Sequence, residues 1–290
     1  MTDSSPHWQT LPSTSLRVPS GFSIADFDKG STPGFDGDPQ EGEDLMRARG
    51  QDLAELQERL FAEGRSGGRR SVLLVLQGMD AAGKGGIVRH VIGMVDPQGV
   101  DHASFGAPTR DELSHDFLWR IEKQLPRAGR IGVFDRSHYE DVLVGRVRAL
   151  APPAQIEARY DEINAWEQRL IDHGTTLVKC ALMVSLDEQL DRLESRLQRP
   201  DKYWKYNPSD LADRALWTEF RDAYEVMFER TSTDAAPWHV IPADHKWFSR
   251  LSITELLCGA LESLELSWPP ASFDVPAEQA KITHLRQTGR

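Results

Sequence analysis

A glycine-rich stretch from Gly78 to Gly86 carries the residues with the clearest chemistry in this chain of 290 residues. It reads GMDAAGKGG, follows the apolar run SVLLVLQ that begins at Ser71, and precedes a segment with helical character. A strand, loop and helix in this order direct successive backbone N–H groups, and the positive end of the helix dipole, toward one point. Lys84 adds a mobile cation. The pattern predicts a phosphate-binding loop of the Walker A type, with an ordinary strand-to-helix turn as the alternative.

Asp80 lies inside this loop and predicts a divalent metal ion beside it. The position after the lysine, where a serine or threonine normally binds Mg²⁺, is Gly85, so another residue has to hold the ion. A carboxylate among groups that attract phosphate repels the ligand unless a divalent cation lies between them. The alternative is that Asp80 faces solvent, because aspartate also suits turns.

A second carboxylate, Asp135, follows the short apolar run IGVF at 131–134. In nucleotide-binding proteins that have a phosphate loop, the end of a neighbouring strand carries an acid, the Walker B residue, that directs Mg²⁺. The spacing after the loop predicts this role for Asp135. The alternative is that Asp135 caps the helix that follows.

A cluster of cations between residues 192 and 205 predicts an anion-binding lid in this acidic protein. The first three follow i, i+4, i+7 spacing and share one helix face, and the others lie beyond the break at Pro200. Guanidinium groups bind phosphate oxygens in pairs, and a helix, break and loop can close over a transferring group. The alternative is a solvated face held by pairs such as Glu188 with Arg192. The five cations are Arg192, Arg196, Arg199, Lys202 and Lys205.

Short apolar segments that alternate with longer helical patterns position these groups. Such alternation specifies a mostly parallel sheet covered on both faces by helices, with ligands at the carboxyl ends of the strands. A helix is predicted from about 43 to 63, before the sheet, and another over about 84–95, after the loop. The predicted strands are 71–77, about 102–106, 131–134, 177–185 and 238–242.

One α/β domain over residues 41–270 accounts for most of the chain. Residues 1 to about 40 are rich in serine, proline, glycine and aspartate and have little periodicity, which predicts a flexible or surface-draped N-terminal extension. The lid is predicted over about 188–214. Residues 271–290 form a polar C-terminal tail that we expect to be loosely held.

Composition narrows the classes of partner. The formal net charge of −11 argues against a general binder of nucleic acid or of an anionic membrane, so an anionic substrate needs a local basic patch. There is no run of 18 apolar residues and no signal-peptide pattern at the N-terminus, which predicts a cytoplasmic protein. The two cysteines, Cys180 and Cys258, lie in apolar patterns and predict neither a disulfide nor a zinc site.

Longer strings of residues resemble the polyphosphate kinase 2 family, especially its branch that uses nucleoside mono- and diphosphate acceptors. They are spread over about 45–265 and so cover nearly the whole predicted domain. Several of them are more specific than a phosphate loop. The matching strings are QGMDAAGK at 77–84, SFGAPT at 104–109, FLWR at 117–120, FDRSHYEDVLV at 134–144, residues 196–205 and residues 231–247.

The resemblance implies a P-loop kinase-like fold, that is, a three-layer αβα sandwich whose mostly parallel sheet has five strands, with a mobile helical lid. It also implies reversible transfer of phosphoryl groups between inorganic polyphosphate and AMP, ADP or ATP. The implied cofactor is Mg²⁺, with Mn²⁺ as a substitute. The implied assembly is a homodimer or homotetramer.

The resemblance also implies roles for individual residues. Lys84, together with the loop residues Gly78, Ala81, Ala82, Gly83 and Gly85, would hold the transferring phosphate. Asp80 and Asp135 would direct the metal ion, and Arg136 and the five lid cations would bind phosphate chains, with Arg199 among the catalytic residues. Arg120 and Glu140 would lie on the acceptor side. The branch with the sequence HYED at 138–141 often has asparagine where this chain has Asp135, which bears on acceptor preference and on the number of metal ions.

The sequence therefore predicts a polyphosphate:nucleotide phosphotransferase that acts on AMP or ADP, or runs in reverse. The nearest alternative is an ATP-dependent nucleoside monophosphate kinase, which would use the same loop, metal and lid. An alternative from another class is a P-loop protein that binds nucleotide for regulation and does not transfer phosphate.

Overall fold

A five-stranded sheet lies at the centre of the computed structural model, which describes residues 7–289. The strands are β1 Ser71–Gly78, β2 Val100–Ser104, β3 Ile131–Asp135, β4 Thr175–Met183 and β5 Trp238–Pro242. Their order is β2-β3-β1-β4-β5, and every neighbouring pair is parallel. The predicted parallel sheet is confirmed, and all five predicted strands lie within two residues of the observed ones at each end.

Helices surround the sheet. A short 3₁₀ turn, Pro200–Lys205, lies between α7 and α8. None of the described helices is both long and apolar enough to cross a membrane. The α-helices of the described residues are α1 Pro12–Ser15, α2 Pro39–Arg65, α3 Lys84–His90, α4 Trp119–Glu122, α5 Val144–Val147, α6 Pro153–Asp172, α7 Leu186–Leu197, α8 Ser209–Arg214, α9 Trp217–Thr231, α10 Lys246–Glu262 and α11 Val275–Thr288.

The core has two halves, one on each face of the sheet. Side chains alternate along a strand, so Val72, Leu74 and Leu76 of β1 pack in one half while Leu73 and Val75 pack in the other. The first half is closed by α2, α3 and α10, and the second by α6 and α9. The arrangement is the three-layer αβα sandwich that the sequence predicted.

Helix α2 begins at a capping box. The carboxylate of Asp38 accepts a hydrogen bond from the amide of Glu41, and the Glu41 carboxylate accepts one from the amide of Asp38. Pro39 fits the first helical position, where no N–H is needed. The helix therefore starts four residues before the predicted one, and it ends at Arg65 rather than at 63.

The N-terminal segment is packed over its described part, which corrects the expectation of a flexible extension. Trp8, Leu16 and Phe35 are buried in the same half of the core as α10. The amide of Val18 donates to the carbonyl of Trp238 at 2.9 Å, and that of Val240 to Leu16 at 2.9 Å. The segment covers the free edge of β5, which would otherwise present unpaired backbone groups. The part of the expectation that concerns residues 1–6 lies outside the described residues.

The predicted C-terminal tail, residues 271–290, forms α11 over most of its length. Asp274 caps this helix by accepting from the amide of Ala277 at 3.0 Å. No residue of α11 is buried, and Ile282 and Leu285 are exposed. Over residues 271–289, which the structure describes, the tail has no buried residue, but it has a defined helix and is not uniformly polar.

Candidate active site

The glycine-rich loop joins the end of β1 to the start of α3, at the carboxyl edge of the sheet. Gly78 and Gly83 have φ angles of 151° and 117°, which a side chain rarely tolerates. A Cβ atom at Gly78 would lie 2.7 Å from the carbonyl oxygen of Leu182, so this position also requires glycine for space. Between residues 7 and 289 the amides of Gly83, Lys84 and Gly85 meet no protein acceptor. The loop therefore presents free N–H groups to an anion.

Lys84 lies folded against its own loop. Its Nζ atom donates to the carbonyl oxygens of Gly78 at 2.6 Å and Met79 at 3.3 Å. Burial lowers the pKa of Lys84, and the positive charge of Arg136 lowers it further, against the opposing effect of Asp80 and Asp135. The Lys84 amine donates to neutral carbonyl groups, and a bound phosphate would give it a negatively charged partner.

Asp80 and Arg136 face each other across the site. Arg136 Nη2 donates to Asp80 Oδ1 at 2.8 Å. Arg136 directly follows β3 and has a φ angle of 64°, and Ala81, directly after Asp80, has 63°. Non-glycine residues in this left-handed region are uncommon and concentrate at functional sites. The ion pair therefore involves strained backbone at both partners: at Arg136 itself and at Ala81, the residue after Asp80.

Asp135 ends β3 next to the loop. Its Cα atom pairs in register with Leu76 of β1, two residues before the loop begins, and its carbonyl oxygen accepts from the amide of Phe105 at 3.0 Å. The charges of Asp135 and Asp80 both act on Lys84. The two predicted metal-directing carboxylates therefore both lie near the Lys84 amine.

The donor set suits Mg²⁺. This ion prefers hard oxygen ligands, keeps several waters, and is usually bound by one or two carboxylates together with substrate phosphates. Asp80 and Asp135 supply two carboxylates near Lys84, and the loop amides without a protein acceptor in the described part of the chain are available to a phosphate there. Among residues 7–289 there is no cluster of three or more acidic, histidine or cysteine side chains that would form a complete metal cage. The residues fit an ion held jointly with a phosphate substrate.

A cavity of about 270 Å³ opens on the Gly78, Met79 and Asp80 side of the loop. Arg120 and Glu140, the two predicted acceptor-side residues, both line it. Its walls combine charged groups with apolar side chains and an aromatic hydroxyl. Other lining residues are Gly106, Ala107, Pro108, Leu113, Arg136, Asp141, Leu143, Val144, Gly145, Leu150, Arg159, Asp213, Phe220 and Tyr224.

Glu140 is held inside this cavity by Gln77. With the Gln77 amide oriented to satisfy its neighbours, its nitrogen donates to Glu140 Oε1 at 3.0 Å and its oxygen accepts from the amide of Ser137 at 3.2 Å. Burial raises the pKa of Glu140, although Arg136 and Lys84 oppose the shift. The Glu140 carboxyl group therefore lies close to Arg136 and to Lys84.

Arg120 is buried beneath the same cavity. Its Nη1 atom donates to the carbonyl oxygen of Gly106 at 2.9 Å, and Nη2 lies 3.9 Å from Asp141 Oδ2. Arg159 contacts the same carboxylate at 3.3 Å. Asp141 thus joins two arginines that both face the cavity.

A second cavity, of about 420 Å³, opens on the Ala81, Ala82 and Gly83 side of the loop, and it is strongly basic. The predicted lid cations lie along it, together with two cations from α10 that sequence reasoning missed. Arg199 is largely exposed, and its guanidinium pairs with Asp201 at 2.9 Å. The cations that line this cavity are Arg192, Arg196, Arg199, Lys202, Lys205, Lys246 and Arg250.

Arg192 differs from the other lid cations, and its predicted role as a phosphate ligand needs correction. Its guanidinium is buried and makes five hydrogen bonds, to the Glu188 carboxylate and to the carbonyl oxygens of Ala81, Ala82, Ala243 and Asp244. An arginine has five N–H groups, so none is left for a phosphate oxygen. The pair with Glu188, which the sequence offered as the alternative, is present at 2.7 Å.

Sequence reasoning also missed side chains from elements far along the chain. Lys246 and Arg250 lie at the start of α10 and share one helix face by their i, i+4 spacing, which was the available signal. Tyr224 of α9 and Arg159 of α6 line the cavity beside Gly78, Met79 and Asp80. Their sequence patterns are those of ordinary amphipathic helices and gave no signal of a site. Gln189 of α7 is buried against the loop, and nothing in the sequence distinguishes it from a surface glutamine.

Residues 37–267 match the family model for polyphosphate kinase 2. The chain belongs to the polyphosphate kinase 2 family. This membership confirms the resemblance seen in the sequence, and with it the predicted phosphotransferase class, and it favours polyphosphate over ATP as the phosphoryl donor.

Known members of the family are similar over nearly the full chain. The AMP/ADP-polyphosphate phosphotransferase of Meiothermus ruber is 44% identical over 248 residues, which are 86% of this chain and 91% of that protein. The ADP-polyphosphate phosphotransferase of Rhodopseudomonas palustris is 40% identical, over 84% of this chain and 86% of that one.

A crystal structure of polyphosphate kinase 2 from Arthrobacter aurescens TC1 superposes with a TM-score of 0.93 at 55% identity. The superposition covers 96% of this chain and 98% of that chain. The predicted P-loop kinase-like fold is confirmed by this likeness together with the parallel sheet.

Proposed function

We propose that this polyphosphate kinase transfers the terminal phosphoryl group of polyphosphate to AMP or ADP, with Mg²⁺ as the cofactor, and catalyses the reverse reaction. The names of the relatives from Meiothermus ruber and Rhodopseudomonas palustris support AMP and ADP as acceptors. The two carboxylates beside Lys84 support the metal ion. The homodimer or homotetramer, the use of Mn²⁺ and the location in the cytoplasm stay predictions from the sequence.

One observation carries the proposal: the phosphate loop separates two cavities of different character. The cavity beside Ala81, Ala82 and Gly83 is lined by cations from the lid and from α10, which suits a long polyanion. The cavity beside Gly78, Met79 and Asp80 has apolar and aromatic walls with a few charged groups, which suits a nucleotide. Donor and acceptor would therefore approach the loop from opposite sides.

The residues of the loop would act mainly by position and charge. Phosphoryl transfer requires little covalent chemistry from a protein, because the barrier falls when the reactants are aligned and the charge on the transferred group is neutralised. The amides of Gly83, Lys84 and Gly85 would bind the transferring phosphoryl group, and the Lys84 amine would leave its loop carbonyls for the phosphate oxygens. Arg136 and Arg199 would hold the phosphates on either side.

Asp80 and Asp135 would hold the metal ion, which when bound would neutralise negative charge on the phosphates. Asp80 would have to give up Arg136 to do so, and Arg136 would then be free to bind phosphate. The attacking atom is an oxygen of the acceptor phosphate, which is already ionised near neutral pH. No histidine base is required for this acceptor.

The experiment is to measure ATP and ADP formation from purified protein, Mg²⁺ and long-chain polyphosphate, with AMP and ADP tested separately. An Asp80→Asn variant serves as the negative control. We expect ATP from ADP and conversion of AMP as well. Absence of product with polyphosphate, together with ADP formation from ATP and AMP, would assign the chain to ATP-dependent nucleotide kinases and overturn the proposal.

A further inference from the structure

Three consecutive carbonyl groups of the phosphate loop are bound by side chains of α7. Gln189 Nε2 donates to the carbonyl oxygen of Asp80 at 2.9 Å. Arg192 Nη1 donates to those of Ala81 at 2.9 Å and Ala82 at 3.0 Å. Both α7 side chains are at least nine-tenths buried. A peptide whose carbonyl is held on one side must direct its N–H to the other, so these contacts orient the amides of Ala81, Ala82 and Gly83. The Ala82 amide donates to the carbonyl oxygen of Met79 at 3.1 Å, and the Gly83 amide is one of the free amides of the loop.

The backbone at this point needs such support. Ala81 has a φ angle of 63°, in the left-handed region that alanine rarely occupies. A strained residue persists only where the surrounding structure determines its conformation. The carbonyl that precedes Ala81 in the chain, that of Asp80, and the carbonyl of Ala81 itself are both fixed by α7. The support therefore acts on both peptides that the strained residue joins.

The two side chains have fixed orientations of their own. Arg214 Nη1 donates to Gln189 Oε1 at 3.1 Å, so the amide nitrogen of Gln189 is the atom that faces Asp80. Arg192 Nη2 donates to the carbonyl oxygens of Ala243 at 2.5 Å and Asp244 at 3.1 Å, just after β5. The loop is thereby joined to α8 through Gln189 and to the segment between β5 and α10 through Arg192.

We propose that Gln189 and Arg192 are positioning residues, which hold the phosphate loop in the conformation that presents its amides and Asp80 to the reacting phosphates. Neither residue touches a substrate in this role. Arg192 anchors backbone carbonyls, although its charge and its place among the predicted lid cations are typical of a phosphate ligand. The inference rests on the proposed function, because it assigns the loop to phosphate transfer.

The test compares Gln189→Glu with Gln198→Glu. The first variant keeps the acceptor for Arg214 and removes the hydrogen bond to Asp80, and the second makes the same change at an exposed glutamine next to the end of the same helix. A misplacement of about 1 Å costs on the order of 100-fold in rate, so we expect kcat to fall by about 10- to 100-fold in Gln189→Glu and by less than about twofold in the control. A kcat for Gln189→Glu equal to that of the control would overturn the role of Gln189.

Binding of inorganic tripolyphosphate, measured by calorimetry, separates a displaced loop from a partly unfolded protein. A displaced loop weakens the Kd, by about tenfold for one lost charge-assisted contact, at unchanged stoichiometry. A partly unfolded protein lowers the stoichiometry at unchanged Kd, and this result would overturn the positioning role. The calorimetric arm does not require turnover. If wild-type protein made no product from polyphosphate, the proposed function would fail while the loop contact would still be tested.

Arg192→Ala provides a rescue test. Guanidinium ion at tens of millimolar should restore part of the lost kcat, whereas methylammonium at equal ionic strength should not, because only guanidinium offers the planar set of donors. Arg221→Ala, at a half-buried arginine paired with its neighbour Asp222, is the control and should not respond to either ion. Equal restoration by both cations would overturn the anchor role of Arg192, since a charge would then suffice. If Arg192→Ala failed to fold, the isosteric Gln189→Glu comparison would decide.

Discussion

Arg136 Nη2 lies 2.8 Å from Asp80 Oδ1, so the two residues with the most direct predicted roles in phosphate and metal binding neutralise each other in the protein alone. Arg136 itself has a left-handed backbone conformation, and so does Ala81, which directly follows Asp80. In the proposed reaction, Asp80 would hold the metal ion and Arg136 would bind phosphate once substrate is present. The pair keeps both groups oriented until then.

Asp80→Asn tests this change of partners. The variant keeps the size of the side chain and removes the charge that would hold the metal ion, so we expect kcat to fall by about 100-fold or more. Nucleotide affinity should change less, because the substitution leaves the apolar walls of the cavity beside Gly78 and Met79 unchanged. Steady-state kinetics and nucleotide titration measure the two effects. Asp44→Asn, at an exposed position of α2, is the matched control. Turnover that survives in Asp80→Asn would contradict the metal assignment.

Arg199→Ala should lower transfer more than it lowers nucleotide affinity. Arg199 lines the basic cavity and does not line the cavity beside Gly78 and Met79, where the nucleotide is proposed to bind. Loss of one charge-assisted contact to a phosphate is worth about 1.5 to 3 kcal/mol, or roughly 10- to 100-fold in kcat/KM for polyphosphate. Initial rates at varied polyphosphate and fixed ADP provide the measurement, with Arg221→Ala as control. An unchanged rate would remove Arg199 from the site.

Lys246 and Arg250 should matter for long chains more than for short ones. Replacing both by glutamine removes two cations at the α10 end of the basic cavity. We expect KM to rise about tenfold for long-chain polyphosphate, the equivalent of about 1.4 kcal/mol, and by less than about threefold for tripolyphosphate. Glutamines in place of Arg47 and Lys281, two exposed cations outside the cavity, provide a control of equal charge. An equal effect on both chain lengths would place the two cations outside the polyphosphate path.

Acid should destabilise the fold through His239. Burial lowers the pKa of this β5 histidine from 6.5 to about 4, so between these values the unfolded chain binds a proton that the folded chain does not. Stability therefore falls as the pH drops from about 6.5 toward 4. The contribution is about 3 kcal/mol, from 1.36 kcal/mol per pKa unit. Urea unfolding at pH 7 and pH 4.5 should show a smaller loss in His239→Gln than in wild type. Equal losses would contradict the prediction; His138, whose pKa burial also lowers, remains in both proteins.

Trp8→Ala tests whether the N-terminal segment is part of the fold. The indole is buried and packs against Phe35 with ring centroids 4.9 Å apart. Its removal should reduce the free energy of unfolding by about 3 kcal/mol, as for other large-to-small core substitutions. Leu11→Ala, at a half-exposed position of the same segment, should cost less than about 1 kcal/mol. Thermal or urea unfolding gives both values, and equal stability of Trp8→Ala and wild type would contradict the packed arrangement.

The strands and the loop were predictable because their signals are local. A buried parallel strand is a short apolar run, and β1 and β4 show this directly in the sequence. The glycines and Lys84 define a phosphate loop by their order along the chain, and Asp135 follows from the end of a strand that must lie beside it. Each inference needed only neighbouring residues and the rule that ligands bind at the carboxyl edge of a parallel sheet.

The N-terminal segment was not predictable in this way. Trp8, Leu16 and Phe35 are widely spaced and follow no helical or strand period. Their burial depends on β5 and α10, which lie more than 200 residues further along the chain. The composition alone indicated a segment that is either flexible or draped over the surface.

The sequence by itself determined the fold class, and it located the glycine-rich loop, the two carboxylates near it and a helix that carries several cations. Only the tertiary structure decided which cations are available to a ligand. Arg192 and Arg196 have equivalent positions on one helix face, yet Arg192 is fully bound by protein acceptors, most of them from the loop and from the end of β5. Hydrogen bonds to backbone carbonyls carry no sequence signature, because every residue supplies the same carbonyl group.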